Sequence, residues 1–107
     1  MQWTLTARRE YDAAYQGLCE HRPEAADAWA DDVVDMIRML ENHPGIGHRH
    51  RTSEEGVYRE VIVGRYRFIY RVTETLLEMR RVLHVRRDYN PSRIREGVRP
   101  GFPAFAA

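Results

Sequence analysis

The period of the apolar residues changes once along this chain, and that change limits the folds open to it. Up to about residue 42 the apolar positions recur at helical spacing; from Val57 onward they recur at every second residue. Tyr11, Ala14, Tyr15 and Leu18 fall at i, i+3, i+4 and i+7, one face of a helix. Thr6 is the expected N-cap, with the helix beginning near Ala7. Pro23 suits the first turn of a second helix, and Glu24 and Asp27 sit near its positive end. Its stripe is Ala25, Trp29, Val33, Met36, Ile37 and Leu40, opposite Asp31, Asp32, Asp35 and Arg38. The two segments make a helical hairpin with one buried side, and Tyr11, Tyr15 and Trp29 read as core.

Asn42-His43-Pro44-Gly45 ends the second helix, because Pro cannot continue it and Gly permits the turn. A His-, Arg- and Gly-rich loop is expected from there to about Gly56. Residues 57–63, 65–72 and 76–85 then read as strands, and Trp3-Thr4-Leu5 as a short opening strand. Gly64-Arg65 has the form of a two-residue hairpin loop, which would pair Val63 with Tyr66. Val61, Val63, Tyr66, Phe68, Tyr70 and Val72 then face the helices. Tyr58, Glu60, Ile62, Arg65, Arg67, Ile69 and Arg71 fall on an open face. Arg80 and Arg81 are adjacent and must point to opposite faces unless a bulge intervenes. The expected fold is α+β: a helical hairpin on a mainly antiparallel four-stranded sheet, with elements in the order β-α-α-β-β-β.

Composition agrees with one globular domain. The chain has 107 residues, 43% hydrophobic and 31% charged. No apolar run approaches the ~20 residues of a membrane span. The start lacks the basic and apolar regions of a signal peptide, and Cys19 has no second cysteine to pair with. A cytoplasmic protein is expected, with its domain over residues 1–90 and a partly flexible tail over 91–107.

Charge is unevenly distributed. Residues 1–46 carry net −5 and residues 47–107 net +6, and all 17 basic residues are Arg. The absence of Lys excludes a Walker phosphate loop and a Lys Schiff base. A guanidinium fork suits phosphate or carboxylate. Arg65, Arg67 and Arg71 recur at even spacing, and Arg86-Arg87 follow the last strand beside His84. These five arginines are the candidate surface for a target or a neutralising partner. His48-x-His50 is the one metal-like spacing and reads more simply as a polar loop; neither a metal nor another cofactor is expected. Cys19 has no His partner in the pattern and is not read as a nucleophile.

Four pieces of the sequence, in this order, resemble the RelE/ParE superfamily of type II toxin–antitoxin toxins. They are Leu5-Thr6-Ala7 with Tyr11-Asp12; Leu40, Pro44 and Gly47; Tyr58 to Val72; and Arg81 to Asp88. The closing Leu83-His84 through Arg86-Arg87-Asp88 resembles the ParE branch in particular. That branch implies an inhibitor of DNA gyrase, with no catalytic step of its own, neutralised by a cognate antitoxin and independent of membranes. The RelE branch implies instead a ribosome-dependent mRNA endonuclease acting on ribosome-bound mRNA. Its chemistry would fall here to Glu60, Arg67, His84 and Arg87, with Glu60 or His84 as base. The lysines of the RelE pattern meet Tyr58 and Glu60 in this chain, and its late tyrosine is out of register with Tyr89. Both departures count against RNA cleavage, and the closing segment favours the ParE branch.

Overall fold

The computed structural model describes residues 1–53 and 56–86. In chain order it contains β1 (Gln2–Trp3), α1 (Leu5–His21), α2 (Pro23–Asn42), a 3-10 turn (Pro44–Ile46), β2 (His48–Ser53), β3 (Gly56–Val63), β4 (Tyr66–Val72) and β5 (Leu77–His84). The strands form one sheet in the order β1-β5-β4-β3-β2. β1 runs parallel to β5, and every other neighbouring pair is antiparallel. The architecture is the expected α+β arrangement, two helices on a mainly antiparallel sheet. The expected tail, residues 91–107, lies outside the described residues. Among the described residues, no helix is long and apolar enough to cross a membrane.

The sheet has five strands rather than four. His48–Ser53, expected as loop, is the edge strand β2, hydrogen-bonded along β3. Its sequence has no apolar alternation, so backbone pairing rather than a buried face makes it a strand. His50 is an extra residue there, since Arg49 lies opposite Arg59 and Arg51 opposite Tyr58. A charged, bulged edge resists pairing with stray strands.

The first helix starts two residues earlier than its pattern suggests. Thr4, not Thr6, is the N-cap: its Oγ1 accepts the Ala7 N–H at 3.0 Å. The Thr4 hydroxyl also donates to the Arg80 carbonyl at 3.2 Å, and its N–H donates to Met79 at 3.0 Å. These bonds tie the start of α1 to β5. In α2, Pro23 occupies the first turn, Ala26 is buried, and Trp29, Val33, Met36 and Leu40 are buried in the core shared with the sheet.

Trp29 organises the core. Its ring stacks on Tyr11 at 5.2 Å and meets Tyr66 at 5.3 Å and Phe68 at 6.0 Å. Its Nε1–H donates to the Val63 carbonyl at 3.0 Å, which satisfies the one polar group of the side chain. The β3–β4 turn is shaped by the same ring. Gly64 has φ +62°, and a Cβ there would lie 3.0 Å from Trp29 Cδ1, so conformation and packing both call for glycine.

Val63 pairs with Tyr66 as expected, and Val61, Val63, Tyr66, Phe68, Tyr70 and Val72 all pack into the helix-facing core. The opposite face is not the open surface that alternation suggests. Tyr58 and Ile69 have no exposed surface, and Leu83 is only 3% exposed. Between β4 and β5, Ile69 lies opposite Arg81 and Tyr70 opposite Met79, which leaves Arg80 as the extra residue of a bulge on β5. The bulge turns Met79 and Val82, three apart in sequence, to the same buried side.

Candidate target-binding surface

The arginines singled out by spacing occupy different environments. Arg67 and Arg71 lie on the outer face of β4, flanking Ile69, and each meets a carboxylate from a neighbouring strand. Arg71 Nη2 is 3.1 Å from Glu78 Oε1, an oxygen that also receives Arg80 Nη1 at 3.0 Å. Arg67 Nη1 is 3.9 Å from Glu60 Oε1, which is bonded at 2.8 Å to His50 Nε2. The Nε atoms of Arg67 and Arg71 are buried without a hydrogen-bond partner, so neither guanidinium is fully satisfied. Both arginines are nevertheless committed within the sheet.

Arg65 and Arg86 stand apart from that network. Alternation places Arg65 on the outer face with Arg67 and Arg71, but β4 begins at Tyr66, so Arg65 sits in the turn. Its carbonyl accepts the Val85 N–H at 2.8 Å, which joins the β3–β4 turn to the turn after β5. There the Arg86 N–H donates to His84 Nδ1 at 3.1 Å. Both arginines are exposed, and among the described residues neither guanidinium takes part in an ion pair. One end of the sheet therefore presents two cations on adjoining turns that form no ion pair among the described residues. Arg87 lies outside the described residues.

The described residues of the nuclease reading, Glu60, Arg67 and His84, do not share one face. Glu60 and Arg67 share the outer face, whereas His84 lies opposite Tyr66 and points to the helix side. The His84 and Tyr66 rings meet edge to face at 5.2 Å. Burial pushes the Glu60 carboxyl up, but the His50 hydrogen bond and the Arg67 charge outweigh it and leave its pKa lowered. A carboxylate held ionised in this way is a weak general base at neutral pH, where a pKa near 7 works best.

The other polar candidates have structural partners. His48 and His50 have ring centroids 6.0 Å apart, and His50 is bonded to Glu60. Among the described residues no group of three or more ligand-type side chains could hold a metal. Cys19 is a half-buried free thiol beside Tyr15. The Tyr15 hydroxyl is pushed up to about 12 by its hydrogen bonds to Asp27 and Cys19. Spacing gives no sign of Glu10, Glu78 or His50 as partners. Glu10 meets a residue 71 positions away, Glu78 and His50 meet partners on neighbouring strands, and only their charge hints at a role.

Comparison with known proteins follows the same direction as the fold. Residues 1–89 match the family described as the ParE toxin of the type II toxin–antitoxin system, parDE. Among solved structures, a chain of the chromosomal ParDE TA system from P. aeruginosa is similar in fold, with a TM-score of 0.61 at 24% identity. The similarity covers 78% of this chain and 92% of that one. No curated protein matches the sequence. With the family match spanning both helices and the whole sheet, this chain belongs to the ParE toxin family of type II toxin–antitoxin systems.

Proposed function

We propose that this toxin inhibits DNA gyrase and that a cognate antitoxin neutralises it by covering the same surface. The observation that carries this reading is the pair of exposed arginines, Arg65 and Arg86, which form no ion pair among the described residues and are joined through the Val85–Arg65 hydrogen bond. Guanidinium groups on adjoining turns can approach a large partner without unravelling the sheet. Charge-assisted contacts from them are directional, and removing one from a desolvated interface costs ~2–5 kcal/mol. Arg71, bonded to Glu78, and Arg67, facing the Glu60 carboxylate at 3.9 Å, have less to offer a partner. An antitoxin segment that folds on contact would place acidic side chains on Arg65 and Arg86.

Induced expression in bacteria tests the reading. Gyrase inhibition gives a DNA-damage response and filamentation while translation continues, and co-expression of a small protein encoded beside the toxin gene restores growth. Prompt translation arrest, with ribosome-bound transcripts cut at discrete codons, would overturn it.

A further inference from the structure

Between the α1–α2 junction and the β3–β4 turn lies a cavity of about 500 Å3, on the helix side of the sheet. It is separate from the outer-face network of Glu60, Arg67, Arg71 and Glu78. Its lining is apolar where α1, α2 and β4 meet, with Leu18, Ala28, Trp29 and Tyr66. The Trp29 and Tyr66 rings are tilted by 54° to each other. Trp29 is only 6% exposed and its Nε1 is already bonded to Val63, so the indole offers the cavity a ring edge and not its N–H. One wall is bare: Gly17 borders the cavity, and a Cβ built there would meet nothing within 4 Å. Glycine weakens a helix, yet no close packing requires one at this position.

The rim is charged and predominantly basic. Arg22 borders the cavity at the helix junction and Arg65 at the hairpin turn, with His21 and His84 beside them and Asp32 as the one acid. Both arginines are exposed, and among the described residues neither guanidinium has an ion-pair partner. An aromatic-lined hollow of this size falls within the ~300–1,000 Å3 of small-molecule sites. Two unpaired guanidinium groups at its mouth select a planar anion, which each can grip through two parallel hydrogen bonds.

We propose that this cavity is a binding site for a small aromatic carboxylate. The ring system lies against Trp29 and Tyr66 beside Gly17, and the carboxylate meets Arg22 or Arg65. The site shares Arg65 with the surface assigned to gyrase, but it does not depend on that reading, because its floor and its bare wall lie outside that surface.

Titration of the full chain with 1-naphthoate, followed by calorimetry and by amide and indole NMR shifts, tests the assignment. The expected result is saturable one-to-one binding that moves the Trp29 indole and the Gly17 and Gly64 amides. Neutral 1-naphthamide binds about tenfold more weakly or worse, and Arg22→Gln with Arg65→Gln lowers 1-naphthoate to the same level. Gly17→Leu and, from the opposite wall, Ala28→Phe each abolish saturable binding while the helical circular dichroism is kept. Should Gly17→Leu misfold, Ala28→Phe decides. Failure of 1-naphthoate to saturate, equal affinity for the amide, or undiminished binding by a folded cavity-filled variant would overturn the proposal.

Discussion

Glu10 and Arg81, 71 residues apart in sequence, form a two-pronged ion pair that fastens α1 to β5. Arg81 Nε lies 3.0 Å from Glu10 Oε1, and its Nη2 lies 2.8 Å from Oε2. The same carboxylate accepts the Val82 N–H at 2.9 Å. β1 pairs with β5 only at Glu78 and Met79, so beyond that point Glu10 does for the backbone what a neighbouring strand would do. A side chain thereby closes the sheet edge that the short β1 leaves uncovered.

Replacing Glu10 should therefore cost more than an ordinary surface charge. Glu10→Ala strands a half-buried guanidinium and a backbone N–H, and is expected to destabilise by about 2–3 kcal/mol. Glu10→Gln keeps an acceptor for Val82 and should lose about 1 kcal/mol. Urea unfolding followed by circular dichroism gives both values. A Glu10→Ala variant as stable as the parent would remove this contact from the account.

Tyr70 locks the crossing from α2 into the sheet. Its hydroxyl accepts the Gly47 N–H at 3.0 Å and donates to the Pro44 carbonyl at 2.8 Å. Tyr70→Phe leaves both groups short of a partner and should cost about 1–3 kcal/mol. A Cβ on Gly47 would stand 2.5 Å from the Tyr70 hydroxyl oxygen and 2.9 Å from the Glu60 carbonyl, so Gly47→Ala is also destabilising. The two changes share one contact. Thermal melts of the single and double variants should show Gly47→Ala costing less when combined with Tyr70→Phe than alone, a non-additivity expected of touching residues.

Glu60 makes stability depend on pH in acid. Its folded pKa is lowered from the ordinary 4.5, because the His50 hydrogen bond and the Arg67 charge prevail over burial, the largest opposing influence. A depressed carboxyl pKa gives stability that is fully present above the unfolded value and lost as the pH falls through the folded one. Urea midpoints should therefore drop below about pH 4.5 more steeply in the parent than in Glu60→Gln. Parallel curves for the two proteins would place the acid dependence elsewhere.

Much of this architecture is legible in the sequence wherever side-chain burial decides local structure. The α2 stripe through Trp29, Val33 and Leu40, the Pro23 start, the Gly64 turn and the Val63–Tyr66 register all follow from periodicity and turn chemistry. Where backbone pairing or distant charges decide, local pattern says little. β2 is a polar edge held by β3, and the Arg80 bulge is signalled only by the adjacency of Arg80 and Arg81. Even spacing brings out Arg67 and Arg71 as candidate contacts. Their ion pairs with Glu60 and Glu78 come from strand neighbours that one strand's sequence does not identify. Arg65 changes role for a similar reason, since one residue decides whether it belongs to the strand or to the turn.

The proposed working surface is the basic end of the sheet, and a supercoiling assay with purified DNA gyrase tests it most directly. Arg65→Ala with Arg86→Ala removes two exposed cations that make no internal ion pair among the described residues, so the fold should survive; circular dichroism checks this. An exposed arginine facing water contributes at most about 1 kcal/mol through surface pairing, so Arg8→Ala with Arg9→Ala serves as the charge-matched control. The account predicts that the parent and the control block supercoiling while Arg65→Ala/Arg86→Ala does not. A folded Arg65→Ala/Arg86→Ala variant that still blocks gyrase at the parent's concentration would contradict it.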